Sequence, residues 1–381
     1  MKRVMILLLG LALTLGFLPG PVLAAELNVA GKGAVLMDAT TGTVLYEQNA
    51  HEKLPPASVT KVMTLLLIME AIDSGKITWT DTVTASEAAS AKGGSQIYLK
   101  VGESMVVEDL VKSIAVSSAN DAACAMAEHL AGSESAFVDM MNRRAQELGM
   151  NDTHFVNCTG LDDAPEAKEH LTSAWDIAIM SRELLKNHPD IKEYTTIWMD
   201  TVRDGEFGLS NTNKMVRFYD GCTGLKTGYT SGAGFCLSAS AQREGMELIA
   251  VVLGSATSQE RFAACKSMLD YGFANFALVT PEITGTQTVP VRLGTAETVA
   301  VLPGQAVELL LDKAQRNSVT TEAALEESVA APVSRGQRLG TLTVRCGDQI
   351  LAQVPLVAAD AVPRLTFEEL FLLALRAAAM G

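Results

Sequence analysis

Hydrophobic and polar positions follow different periods along this chain, and the changes of period divide it. Residues 4–17 are almost purely apolar behind Lys2 and Arg3, and the run ends at Pro19-Gly20-Pro21 and the small residues Val22-Leu23-Ala24-Ala25. A charged start, a short apolar middle and a small-residue exit predict a cleaved secretory signal over 1–24, too short for the ~20 residues of a spanning helix. Region 25–276 then mixes strand and helix periods, the mark of an α/β or α+β domain. It opens on a hairpin pattern, Gly33-Ala34-Val35-Leu36-Met37-Asp38, a turn at Thr40-Thr41-Gly42, and Val44-Leu45-Tyr46. A helix is predicted over 59–71, with Val62, Leu65, Leu66 and Met69 on one face. Segments 109–116 and 122–130 read as helices with a polar break between them. Segments 225–229, 235–241 and 247–253 read as successive strands, and a helix follows over 258–273. The region begins and ends with antiparallel strands, so its two ends are expected side by side in one sheet.

From 280 to 362 the helical period fades into short β-rich runs at 288–293, 298–302, 306–311, 341–345 and 350–354. These predict a small all-β sandwich or barrel-like module. The last segment, 363–381, gathers Phe367, Leu370, Phe371, Leu372, Leu373 and Leu375 after Pro363. Its ~15 helical residues reach only ~23 Å against a ~30 Å hydrocarbon core, so it reads as an interfacial amphipathic anchor or as a helix docked on its own domain.

Composition narrows the chemistry. With 381 residues, 48% hydrophobic and 19% charged, the chain can fill two or three compact domains. Its 30 basic against 44 acidic residues give a net charge of −14, which argues against nucleic acid as a partner. There is no GxxxxGK[ST] loop, no CxxC and no HExxH, so no metal or cofactor is called for. The six cysteines are widely spread; Cys222 and Cys236 flank one strand-like segment, but buried free thiols are the expectation.

Three short elements could carry chemistry. Ser58 and Lys61 lie three residues apart at the start of the first predicted helix and share one face. A serine needs a base to become a nucleophile, and a lysine serves when burial or a nearby cation lowers its pKa. Ser118 and Asn120 occupy the break between two helices, where both side chains can enter one cleft. Lys226-Thr227-Gly228 falls on a predicted strand; Thr227 offers a hydroxyl to a carboxylate, and Gly228 admits a ligand backbone. Each also has an ordinary reading: a helix N-cap at Ser58, capping by Ser118, Asn120 or Asp121, and a solvent-facing strand with a bend. Their joint occurrence in this order favours the chemical one.

SxxK, then SxN about 60 residues on, then KTG about 110 further, resembles the active-site triplet of penicillin-binding proteins and serine β-lactamases. Ala34-Val35-Leu36-Met37-Asp38, Pro56-Ala57-Ser58-Val59-Thr60-Lys61, Gly94-Ser95-Gln96 and Gly224-Leu225-Lys226-Thr227-Gly228-Tyr229-Thr230 resemble the low-molecular-mass D-alanyl-D-alanine carboxypeptidases. That resemblance implies an α+β fold, an antiparallel sheet with helices, followed by a small all-β C-terminal domain. It also implies the roles. Ser58 would be acylated, Lys61 would be its general base, and Ser118 would relay a proton to the leaving amine. Asn120 would hold the substrate amide and Lys61. Lys226 would depress the pKa of Lys61 and attract the substrate carboxylate, which Thr227 would bond. The N–H groups of Ser58 and Tyr229 would form an oxyanion hole. Arg261 would assist with the carboxylate. The implied partners are peptidoglycan stem peptides, β-lactam antibiotics and, through 363–381, the outer face of the cytoplasmic membrane. One departure stands out: Ala119 replaces the usual glycine of the middle motif, with slight strain expected in the loop. Two alternatives remain open, a serine β-lactamase using Asp162, Asp163, Glu166 or Glu169 to activate water, and a non-catalytic wall-binding scaffold.

Overall fold

The computed structural model describes residues 27, 29–281 and 287–380, so the signal reading over 1–24 lies outside the described residues. Five antiparallel strands form the central sheet: β1 (Gly33–Asp38), β2 (Val44–Gln48), β3 (Cys222–Thr230), β4 (Gly234–Arg243) and β5 (Met246–Ser255), in the order β2-β1-β5-β4-β3. β1 pairs with β5, Leu36 opposite Ala250, which joins the two ends of the region as the pattern implied. Along β5, Ile249, Val251 and Leu253 face one core while Leu248, Ala250 and Val252 face the other. In β1, Val35 and Met37 take the first side and Ala34 and Leu36 the second. Both faces are covered, which is why these strands read as unbroken apolar runs.

One core is built with α1 (Lys61–Asp73), α2 (Val107–Ser117), α3 (Asn120–Ala131), α4 (Glu134–Glu147) and α5 (Ala174–Asn187). On the other face lies α6 (Ser258–Asn275), which starts with a reciprocal capping box between Thr257 and Glu260. The apolar face read for the first helix understates it: every residue of α1 from Lys61 to Met69 is buried, with α2, α3, α4 and α5 around it. A helix apolar on all sides belongs inside. Ser58 does not open that α-helix but sits in a separate 3₁₀ turn, Ala57–Thr60, just ahead of it.

The chain then forms β6 (Phe276–Val279), β7 (Thr288–Arg292), β8 (Thr298–Pro303), β9 (Leu309–Asp312), β10 (Val319–Leu325), β11 (Val329–Ala330), β12 (Arg338–Cys346) and β13 (Gln349–Ala358). Six of them make one sheet, β10-β12-β13-β8-β7-β11, over a core that includes Val289, Leu339, Val344 and Leu356. The run at 306–311 does not join this sheet. Its strand, β9, pairs with β6, Ala277 opposite Leu311, and ties the module to the first region. Strands β10 and β11 escape the sequence pattern because β10 alternates half-buried with exposed positions and carries few large apolar groups.

A final helix, α7 (Phe367–Met380), is undocked: Phe367, Phe371, Leu372, Leu373 and Leu375 are all exposed. Only its lead-in is held, by Leu365 N–H donating to the Leu293 carbonyl and by a bridge between Arg364 and Gly294. The docked-helix alternative therefore fails. No helix among the described residues is long and apolar enough to cross a membrane. All six cysteines are free thiols, and Cys222 and Cys236 pair with Ala241 and Gly228, well apart on the β3–β4 ladder.

Candidate active site

The first group forms where the 3₁₀ turn meets α1. Ser58 is half-buried, Lys61 is wholly buried, and Lys61 Nζ lies 3.0 Å from Ser58 Oγ. The same Nζ donates to the Thr159 carbonyl at 2.8 Å. Burial lowers the pKa of Lys61 from 10.5 to about 7, against opposing pulls from Cys158 and Asp121. An ammonium here has traded water for one carbonyl and one hydroxyl, so the neutral amine gains ground. Near neutral pH a large fraction of the molecules therefore present a lone pair to the serine proton. Ser58 makes no capping bond at this turn, so the N-cap reading does not hold.

The second group sits between α2 and α3. Ser118 is buried at φ 63°, ψ 29°, a left-handed conformation that costs a non-glycine residue free energy and recurs at functional sites. Ala119 follows at φ −58°, where alanine is as comfortable as glycine, so the strain expected from this substitution is absent. The N-cap residue of α3, Ala119, makes no side-chain capping bond, and neither Ser118 nor Asn120 caps the helix; Asp121 alone serves its first turn, Oδ1 accepting from the Ala122 N–H at 2.9 Å. Asn120 donates its backbone N–H to the Ser95 carbonyl and Nδ2 to the Gly93 carbonyl, each at 2.7 Å. That leaves its buried Oδ1 without a partner among the described residues. Asp121 accepts from the N–H groups of Ile97 (3.2 Å) and Leu99 (2.9 Å), pinning the 93–99 loop over α3.

The third group lies on β3, the edge strand. Lys226 is buried, its Nζ donates to the Thr227 carbonyl at 2.9 Å, and burial plus the charges of Lys61 and Arg261 hold it well below the lysine range. Thr227 Oγ1 donates to Thr212 Oγ1 at 2.7 Å. A solvent-facing strand is thereby excluded. At Gly228 an added Cβ would lie 2.6 Å from the Pro56 carbonyl oxygen and 3.0 Å from the nitrogens of Ser58 and Val59. Glycine is required because β3 presses its backbone onto the Ser58 turn. Tyr229 follows, its exposed ring tilted over Phe235 at 4.3 Å. Arg261 lies behind the strand: Nη1 donates to the Gly228 carbonyl at 2.8 Å and to Cys236 O at 3.3 Å, while its buried Nε has no partner among the described residues.

Lys61 thus meets Ser58, the charges of Lys61 and Lys226 oppose one another, and Gly228 backs onto the Ser58 turn. The Asp121 carboxylate, next in the chain to Asn120, acts on the Lys61 charge, and Arg261 lies one layer back. Of the two causes that the sequence allowed for a lowered Lys61 pKa, burial leads, rather than the Lys226 cation that the resemblance implied. Thr159 and Thr212 escaped the sequence reading because neither sits in a motif. Asp162, Asp163, Glu166 and Glu169 are all exposed, unlike a base held against a buried ester, so the β-lactamase alternative gains no support.

The D-alanyl-D-alanine carboxypeptidase family profile matches residues 21–257, well over half of the chain. The chain belongs to the D-alanyl-D-alanine carboxypeptidase family. A second profile, the penicillin-binding protein 5 C-terminal domain, matches residues 280–364. The carboxypeptidase DacF of Bacillus subtilis is 42% identical over 350 residues, covering 90% of this chain and 88% of its own. The carboxypeptidase DacD of Escherichia coli is 36% identical, covering 86% of both. Among solved structures, penicillin-binding protein 5 from Haemophilus influenzae superposes with a TM-score of 0.73 at 29% identity, over 92% of this chain and 100% of that one. An ampicillin-bound penicillin-binding protein D2 from Listeria monocytogenes covers 65% of this carboxypeptidase-family chain and 99% of its own, with a TM-score of 0.59 at 32% identity.

Proposed function

We propose that this protein is a serine-type D-alanyl-D-alanine carboxypeptidase that removes the terminal D-alanine from peptidoglycan pentapeptide stems through an acyl-enzyme on Ser58. The observation that carries the reading is a buried Lys61 amine, near-neutral in pKa, 3.0 Å from the Ser58 hydroxyl. Ser58 Oγ attacks the penultimate D-alanine carbonyl while its proton passes to Lys61 Nζ. The oxyanion forms at the N–H groups of Ser58 and Tyr229, where the Gly228 contact brings β3 against the turn. The C–N bond then breaks, the leaving amine takes a proton through Ser118, and D-alanine departs. Water attacks the ester, returns the proton to Ser58 and releases the shortened stem. The free Asn120 Oδ1 accepts from the substrate amide. Thr227 and Lys226 receive the terminal carboxylate, whose charge favours the protonated form of Lys226. Arg261 supports this carboxylate site through the Gly228 carbonyl.

Penicillin mimics the terminal dipeptide and acylates the same serine. Mass spectrometry of the penicillin-treated protein tests this: a stable adduct on the Ser58 peptide is expected, and an adduct elsewhere or rapid drug turnover overturns the reading. The signal segment 1–24 directs export, region 25–276 is the catalytic domain, 280–362 is the β module, and 363–381 holds the enzyme peripherally at the outer face of the cytoplasmic membrane. The exposed apolar side chains of α7 support that last assignment.

A further inference from the structure

A second buried polar chain lies behind Ser58, unused by the reaction as described. Thr60 and His170 are both buried, and Thr60 stands between the nucleophile and its base in sequence. Val156 N–H donates to His170 Nδ1 at 3.1 Å, His170 Nε2 lies 2.7 Å from Thr60 Oγ1, and Thr60 Oγ1 donates to the Ala57 carbonyl at 2.8 Å. A backbone N–H can only donate, so Nδ1 accepts and the neutral ring carries its proton on Nε2. Thr60 accepts that N–H and directs its own hydrogen to Ala57. Burial, with the charges of His154 and Lys61, pushes the His170 pKa down to about 4, so the ring is neutral where the enzyme works. The edge of Phe155 closes over it, with ring centroids 5.6 Å apart.

The far end of this chain is a strained peptide. Ala57 has φ +49°, unusual for a residue with a Cβ. Its carbonyl belongs to the same planar unit as the Ser58 N–H, so holding one end sets the direction of the other. A Cβ on Gly160 would fall on that carbonyl, which means the loop carrying Thr159, the acceptor for Lys61, packs on the same peptide. We propose that His170, acting through Thr60, fixes the tilt of the Ala57–Ser58 peptide and so aims the Ser58 N–H at the developing oxyanion. His170 is then a positioning residue for acylation; the inference rests on Ser58 as the acylated serine.

Two substitutions separate the halves of the ring. His170→Gln keeps a donor near the Nε2 position and gives up the Val156 bond; His170→Asn keeps an acceptor near Nδ1 and gives up the donor to Thr60. The measurement is the second-order rate of acylation by fluorescent penicillin, with the thermal midpoint recorded alongside. Both variants should lose stability, since each leaves a buried group unpaired. Only His170→Asn should slow acylation, by ~10²-fold, the scale of a misdirected reacting group. Thr60→Val should slow it similarly, and Thr60→Ser should restore it. Equal acylation rates in the two His170 variants, or a wild-type rate in Thr60→Val, would overturn the proposal. If the His170 variants do not fold, the Thr60 pair decides. A wild-type protein that never labels at Ser58 would instead overturn the functional reading itself.

Discussion

Lys61 shows how one side chain acquires a role from its surroundings. Since burial holds its pKa near 7 and the base must be neutral, the population of competent enzyme rises with pH through that value. kcat/KM on a small peptide ending in D-alanyl-D-alanine should therefore climb with an inflection near pH 7; a flat profile from pH 5 to 9 would remove Lys61 from the role. Gly228 is the steric counterpart. Adding one methyl places carbon 2.6 Å from a backbone oxygen that cannot swing away. Gly228→Ala should push β3 off the turn and cut penicillin acylation by about 10²-fold or more, the cost of losing an oxyanion donor. His170 links to stability. Its folded pKa of about 4 lies below the ordinary 6.5, so the unfolded chain takes the proton first. This contribution is complete above pH 6.5 and is lost as pH falls towards 4, roughly 3 kcal/mol in all. The urea midpoint should fall further between pH 7 and pH 4.5 for wild type than for His170→Gln.

Single elements divide into those built for the core and one left outside it. α1 is buried on every side over its first nine residues, so it cannot slide or rotate without opening a cavity, and it holds Lys61 at a fixed height beside the turn. Leu66→Ala should cost about 2–5 kcal/mol and be read as a lower denaturant midpoint. α7 is the opposite case, with its large apolar side chains exposed and only its lead-in paired to the β module. Deletion of residues 367–381, sparing the bridge at Arg364, should move the enzyme from the membrane to the soluble fraction. Activity on a soluble peptide should hardly change. A truncated protein that still sediments with membranes would rule out α7 as the anchor. With Arg376 against Glu368 and Glu369, attachment should be apolar and resist moderate salt.

At the scale of the whole molecule, the β6–β9 ladder joins the two regions and follows every residue of the site in the chain. Both Phe276 and Leu278 of β6 and Leu310 of β9 lean on the core beneath α6. The β module thus covers apolar surface of the first region and is more than a spacer. Ending the chain at residue 279 should leave penicillin labelling of Ser58 in place but lower the thermal midpoint by several degrees, through the exposed edge of β6. Loss of labelling would mean that the module shapes the site.

Periodicity and motif spacing by themselves determined the hairpin, the three long strands, the pairing of the two chain ends and the side chains of the triplet. Those features are local, or follow from one face of an element needing cover. Tertiary structure alone decided the rest. No pattern in sequence separates the 3₁₀ turn at Ser58 from the helix behind it, because its strain is held by Gly160 and by the Thr60–His170 chain from a loop about 100 residues away. Thr159 and Thr212 act through a carbonyl and a lone hydroxyl, groups too common to stand out until the fold aims them. β9 reads like its neighbours yet pairs elsewhere, since a strand's partner depends on which edge is free when the domains meet. Lys61 is the clearest case. Its place three residues after Ser58 is written in the sequence, but its lowered pKa comes from exclusion of water, which only the closed packing of α1, α3 and β3 provides.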